Sequence, residues 1–316
     1  MTKIAVLAGG RSPEREVSLL SGHRVHNALA ERDWEPETID PAEVPLLQHL
    51  PAQGFGAAYI ALHGKDGEDG TIQRLLDLID LPYTGTGPLA CETSFDKVLA
   101  KEILADAGVP TPVWAAIQAS ALRDLSAGHI LNLVVERVGL PAVVKPARGG
   151  SAMGITFVDD AADLPAAVMA ALAFSESCIV ERRIEGTEVT AGFLGAPAES
   201  LPLVEIVPRS GVYDYASRYT AGATEYFAPA RLEPETAAAA TTVALQAFQA
   251  LQLRDVGRID VIVDDRGDPW VLEASASPGM TEMSLLPMAA EAAGVPIAPL
   301  CDRIIRLALE RHPGGG

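Results

Sequence analysis

The chain has 316 residues, 48% of them apolar, and a formal net charge of −18, which is enough chain for a full core and for two or three domains. The charge argues against a general nucleic-acid or anionic-membrane surface, while a local cationic pocket stays open. Three cysteines, Cys91, Cys178 and Cys301, are odd in number and widely spaced, so they suggest neither a disulfide framework nor a zinc knuckle and read as small buried thiols in a reduced cytosol. No apolar run has membrane-spanning length. The opening MTKIAVLAGG, one lysine before a strand-length apolar run that stops at two glycines, lacks the pattern of a signal peptide.

In chain order, a strand from Ile4 to Ala8 leads through a loop, Gly9 to Glu16, into a helix that runs to about Glu31. This β-loop-α unit carries neither the dinucleotide fingerprint nor a Walker A lysine motif. Glu14 has two readings: an acid favoured near a helix N-terminus, or a carboxylate that receives a substrate ammonium at the C-terminal edge of the strand. A second apolar strand, Ala57 to Leu62, runs into the Gly-rich polar loop His63 to Gly70, the kind of place where open α/β sheets bind ligands, and then into a helix from Thr71. His63, at the strand end, is better placed for a site than most lone histidines. After Tyr83-Thr84-Gly85-Thr86-Gly87 comes a helical region with Asp96, Lys97 and Lys101. Lys97 reads by default as a surface lysine. Val109-Pro110-Thr111-Pro112 then breaks the chain at an expected domain boundary.

The middle segment places Lys145 at the end of a strand, before Pro146 to Gly154 and a short strand to Val158. A lysine leading into a glycine loop between antiparallel strands suggests a flap over nucleotide phosphates; the alternative is an ordinary hairpin with a snorkelling lysine. A strand from Ile179 precedes Glu181, Glu185 and Glu188, acids that fit either adenosine contacts or a solvated charge run. The long loop from Pro208 to Thr224, with Tyr213, Tyr215 and Tyr219, reads as a lid. A helix from about Glu233 to Leu253 leads to a hairpin, with Arg258 to Val263 on one arm, a turn at Asp264 to Gly267, and Trp270 to Glu273 returning. Asp260 and Glu273 on adjacent strands can share Mg²⁺ or can be solvated turn acids. Ser277 to Thr281 form a turn whose backbone N–H groups can meet an anion. Two amphipathic helices span Glu282 to Arg311, and the glycine-rich tail is expected to be disordered.

Taken together, the ordered motifs GGRSPEREVS, ALHGKDGEDG, PYTGTG, Asp96-Lys97, Lys145 to Gly154, Tyr213 to Tyr219, GRID and Glu273 to Thr281 resemble the D-alanine–D-alanine ligase family of the ATP-grasp superfamily. The resemblance implies an α/β (α+β) class and a three-domain ATP-grasp fold with an N-terminal Rossmann-like open sheet. The implied domains are a substrate-binding domain over residues 1–98, a central ATP-grasp domain over 99–184, and a C-terminal ATP-grasp domain over 185–316 with the metal and catalytic site. It implies ligation of two D-alanines through an acylphosphate, with ATP as co-substrate and two Mg²⁺ ions, or Mn²⁺ in their place, at Asp260, Glu273 and Ser275. Lys97 and Lys145 are then expected on the ATP phosphates, Glu181 and Glu188 near the adenosine, and Arg218 among the ATP-binding residues. Glu14, His63 and Ser284 would bind substrate, Ser151 and Tyr219 would link to Glu14, and Arg258 with the Gly279 N–H would hold the oxyanion.

The family also implies a cytoplasmic homodimer in peptidoglycan precursor synthesis, with no nucleic-acid or membrane partner. Ser275 stands where the family has asparagine and stops about 1.5 Å short of an amide oxygen, which predicts a water-bridged or weakened metal position. Arg218, Gly149, Ala152 and Met283 also depart from the pattern. Two alternatives follow: a related ligase with another acceptor, and a degenerate nucleotide-binding regulatory protein.

Overall fold

The structure, a computed structural model, describes residues 1–213, 217, 218, 220 and 222–312. Among these residues the strands form three sheets. In the first, parallel β1 (Thr2–Leu7) lies between β2 (Trp34–Ile39) and β3 (Ala57–Ile60). Its two faces follow the two-residue strand period. Ile4, Val6, Ala57 and Tyr59 enter one core, and Ala5, Leu7, Ala58 and Ile60 enter the other. Helix α1 (Arg15–Ala30) covers the first face, where Gly22 leaves no room for a Cβ against Ala8. Helices α2 (Leu46–Gln53) and α3 (Thr71–Leu78) cover the second. The sequence pattern alone makes Ala57 to Leu62 the second strand, whereas β2 precedes it. β2 is an edge strand with a proline, buried only at Trp34 and Ile39, so it shows no apolar alternation.

Helix α4 (Pro88–Phe95) ends at Asp96, whose carboxylate accepts from the N–H groups of Val98 and Leu99 and so caps α5 (Lys97–Asp106). The second sheet is antiparallel, ordered β4 (Trp114–Gln118), β7 (Ser177–Arg182), β5 (Ala142–Pro146), β6 (Thr156–Val158). After the short α6 (Ala119–Asp124), helices α7 (Ala127–Val138) and α8 (Leu164–Leu172) pack on the face that presents Ala142, Val144, Cys178 and Val180. By parity Lys145 and Glu181 lie on the opposite face.

The third sheet runs β11 (Thr224–Phe227), β10 (Val204–Pro208), β8 (Gly186–Gly195), β12 (Asp255–Asp264), β13 (Pro269–Ser275), with β9 (Glu199–Ser200) on β8. Helix α9 (Pro234–Ala250) and α5 bury Val189, Ala191, Phe193, Ile259 and Val261 on one face. Helices α10 (Leu285–Ala292) and α11 (Ile297–Glu310) join the core shared by the first and third sheets. No helix among the described residues is long and apolar enough to cross a membrane.

Candidate active site

Strand parity decides which side chains of the third sheet reach the site. With Ile259, Val261 and Val263 in the core, Arg258 and Asp260 face the other way, beside Glu188 and Thr190 of β8, since Asp260 pairs with Thr190 and Ile262 with Glu188. On β13 plain alternation would put Glu273 on the core side with Val271. A bulge prevents this: Asp260 pairs with Glu273 but Val261 pairs with Val271, so Leu272 is the extra residue. Val271 and Ala274 therefore contribute to the core, and Glu273 and Ser275 stand on the site face opposite Asp260 and Arg258.

Each carboxylate already has cationic partners. Arg258 donates to both oxygens of Asp260, at 2.8 and 2.9 Å, and the Thr190 hydroxyl donates to one of them at 2.6 Å. Glu273 lies 3.9 Å from Lys97 and 3.6 Å from Arg218. Burial alone would raise the Glu273 carboxyl, but Lys97, Arg218, Lys145 and Arg258 outweigh it and hold the group down at about 2. Arg218 also sits 4.4 Å over the Tyr213 ring. Lys97 is no surface lysine: its side chain is 11% exposed, and its ammonium donates to the Gly149 carbonyl of the flap at 2.7 Å. Arg148 of the same flap donates to Asp96 at 2.9 Å.

Glu181 and Lys145 meet on the site face of the second sheet, where Glu181 also takes Lys101 at 2.7 Å. Glu181 is buried, and Lys101 and Lys145 keep its carboxyl below the ordinary range against the effect of burial. Glu181, expected near adenosine, bridges these two lysines. Glu188 has no such pairing among the described residues, and burial pushes its carboxyl up to about 7.

Glu14 closes the other end of the site. It stands at the N-cap of α1, yet its carboxylate makes no capping bond; it accepts from the Ser151 hydroxyl. The carboxylate packs against Gly64 and Gly150, and a Cβ on Gly150 would sit 2.9 Å from both oxygens. Burial first, then Glu68, raises its pKa. Ser151 and Ala152 have φ of +52° and +56°, a left-handed bend that holds the flap over this carboxylate. His63 is 5% exposed and has both ring nitrogens engaged, with Ser21 at 3.0 Å and Glu68 at 3.4 Å. Ser284 precedes α10, and its oxygen accepts from the Thr281 N–H at 2.9 Å. A cavity of about 740 Å³ unites Glu14, His63, Ser151, Arg258, Gly279 and Ser284 with Lys97, Arg218, Glu273 and Ser275. Lys145, Glu181, Glu188 and Asp260 lie outside its wall, and Tyr219 lies outside the described residues.

Family models for the D-ala D-ala ligase N-terminus and the D-ala D-ala ligase C-terminus match residues 39–86 and 103–306. The D-alanine–D-alanine ligase of Desulforamulus reducens is 42% identical over 310 residues, covering 98% of this chain and 99% of that protein. That of Bordetella pertussis is 44% identical over 305 residues, covering 96% and 94%. The chain belongs to the D-alanine–D-alanine ligase family.

Solved structures agree with this membership. A crystal structure of the D-alanine–D-alanine ligase from Bacillus anthracis matches with a TM-score of 0.84 at 31% identity over 100% of both chains, and the same enzyme complexed with ATP matches with 0.84 at 30%. The expected ATP-grasp architecture is therefore the fold of this D-alanine–D-alanine ligase family member. Within it, sequence reading gave no role to Lys101, Thr190 or Ser21. Lys101 had a weak signal, being one helical turn beyond Lys97 on the same face; Thr190 and Ser21 had none.

Proposed function

We infer that this chain joins two D-alanines to D-alanyl-D-alanine at the expense of ATP, for peptidoglycan precursors. The observation that carries the reading is the convergence of Glu14, Ser151, Arg258 and the Gly279 turn on one cavity that also holds Lys97 and Glu273. The carboxylate of one D-alanine attacks the γ-phosphorus of ATP, ADP leaves, and the amine of the second D-alanine attacks the acylphosphate carbon and expels phosphate. Glu14, buried and with no lysine or arginine paired to it among the described residues, receives the first ammonium. Lys97 and Lys145 exchange their present acceptors, the Gly149 carbonyl and Glu181, for phosphate oxygens, with Arg218 beside them. Arg258 and the Gly279 N–H take the negative charge that develops on the carbonyl oxygen. Ser151 ties the flap to Glu14 and keeps water from the acylphosphate, and Tyr219 is assigned to the same closure. Ser284 is assigned to the acceptor carboxylate, His63 to the wall beside the first substrate, and Glu188 to the ribose.

Two carboxylates opposite each other on a hairpin form a hard-oxygen donor set that suits Mg²⁺ or Mn²⁺ bound together with phosphates. Asp260 and Glu273, with Ser275 through a water, would hold the ions, which supply neutralisation of the transferring phosphoryl group. We divide the chain into residues 1–98, 99–184 and 185–316 and place it in the cytoplasm as a homodimer. One observation favours a second reading, a related ligase with another acceptor: Met283, 49% exposed, lines the cavity beside Ser284. Phosphate release with ATP, Mg²⁺ and D-alanine, with the product identified by mass spectrometry, separates the two. D-Alanyl-D-alanine supports the first, and ATP turnover only with another amino acid present supports the second.

A further inference from the structure

The turn that carries Gly279 is held from one side by α1. Ser21 and Arg24 stand three residues apart and so share one face of that helix. Ser21, fully buried, accepts from the Met280 N–H at 3.2 Å. Arg24 donates to the Met280 carbonyl at 3.2 Å and to the Thr281 carbonyl at 2.5 Å. Ser284 accepts the Thr281 N–H. The N–H and C=O groups of residues 280 and 281 thus all have partners, whereas among the described residues the Gly279 N–H donates to none. Ser21 is in turn held from behind by Nε2 of His63 at 3.0 Å, and Nδ1 of the same ring faces Glu68 at 3.4 Å.

We propose that Ser21 and Arg24 are positioning residues, a clamp by which α1 aims the Gly279 N–H at the oxyanion of the second chemical step, with His63 and Glu68 orienting the clamp. This rests on the ligase reading above. An oxyanion donor acts only when held at the place where charge develops, and losing one costs roughly 10²–10³ in rate. A loosened clamp therefore weakens the attack of the amine and leaves the earlier phosphoryl transfer, carried by the lysines, in place. Acylphosphate that waits is then attacked by water, which returns D-alanine and phosphate without dipeptide. Ser21 has no exposed surface, so it cannot act by touching the acceptor.

The test compares Ser21→Ala, Arg24→Met and Arg24→Lys with the wild type, measuring ADP and dipeptide in the same assay. The expected result for Ser21→Ala and Arg24→Met is dipeptide turnover lower by about tenfold, or ~1.4 kcal/mol. ADP formed per dipeptide rises above one while KM for ATP is unchanged. Arg24→Lys, which keeps a donor, returns the ratio toward one. A variant slowed only by damaged packing loses ADP and dipeptide in proportion, and a ratio of one in both Ser21→Ala and Arg24→Met overturns the clamp. If Ser21→Ala does not fold, Arg24→Met, at a half-buried position on the cavity wall, decides alone. Wild-type protein that makes no dipeptide from D-alanine overturns the ligase reading instead, a result distinct from an intact ratio in the variants.

Discussion

Lys101→Met probes the buried charge cluster behind the nucleotide site. Lys101 and Glu181 are each 2% exposed in their side chains and 2.7 Å apart, with Lys145 on the other carboxylate oxygen. Removing one member of a buried ion pair costs ~3–5 kcal/mol when the other is stranded. Glu181 keeps Lys145 here, and methionine refills most of the lysine stem, so a loss of ~2 kcal/mol in urea unfolding is expected. The functional effect should exceed the structural one. When nucleotide draws Lys145 to its phosphates, Lys101 is the cation left to Glu181; without it the carboxylate holds Lys145 back, and affinity for a non-hydrolysable ATP analogue should fall about tenfold, ~1.4 kcal/mol. The double variant Lys101→Met, Glu181→Gln should recover part of both losses, with a coupling energy on the order of 2 kcal/mol. Strictly additive losses, or an unchanged nucleotide affinity in Lys101→Met, would refute the exchange.

Three further outcomes follow from the site. Ser275→Asn extends an oxygen by about one bond length toward the Asp260–Glu273 pair, so Mg²⁺ binding measured by calorimetry in the presence of ADP should tighten several-fold; weaker binding counts against Ser275 as a metal position. Gly150→Ala places a Cβ against the Glu14 carboxylate, whose flexible end can move aside; KM for the first D-alanine should rise at least tenfold with little change in urea stability, and an unaltered KM would show that Glu14 does not hold the ammonium. Glu188, raised by burial to about 7 from an ordinary 4.5, holds its proton more tightly folded than unfolded. Its contribution is complete below 4.5 and is lost as pH rises through about 7. Metal-free wild type should therefore lose stability over that window relative to Glu188→Gln, by on the order of 3 kcal/mol, and parallel pH profiles would contradict this.

Much of the site was legible because strand parity and turn chemistry are local. Ile259, Val261 and Val263 alternate with Arg258 and Asp260, and the turn from Asp264 to Gly267 marks the hairpin, so two acids on adjacent strands could be read directly. The bulge could not. Nothing in Val271-Leu272-Glu273-Ala274-Ser275 distinguishes a regular strand from one with Leu272 as an extra residue, and only the observed register puts Glu273 on the side of Asp260. Lys101 was hidden for a different reason: a lysine on a helix with charged neighbours reads as solvated, and its burial is imposed by β7, 80 residues away in Glu181. Ser21 and Arg24 are likewise ordinary polar residues of an exposed-looking helix until the turn at Met280 folds against them.

The charges of the site also explain why it can stand without its ligands. Asp260 is held by Arg258, Glu273 by Lys97 and Arg218, and Glu181 by Lys101 and Lys145, so the buried carboxylates and cations of the site neutralise one another. A buried charge left alone would be far more costly than a pair. With the roles proposed above, nucleotide and metal would arrive as exchanges: phosphates would take over Lys97 and Lys145, and the freed Glu273 would take the metal. Phosphate alone would strand Glu273, and metal alone would strand Lys97 and Arg218, so each ligand should bind the protein more tightly in the presence of the other. The same accounting separates Glu14 and Glu188, the two carboxylates whose pKa values are raised. Neither has a lysine or arginine hydrogen-bonded to it among the described residues. In Glu14 that unmet charge suits an incoming ammonium, whereas Glu188, protonated below about 7, is suited to a neutral hydroxyl pair.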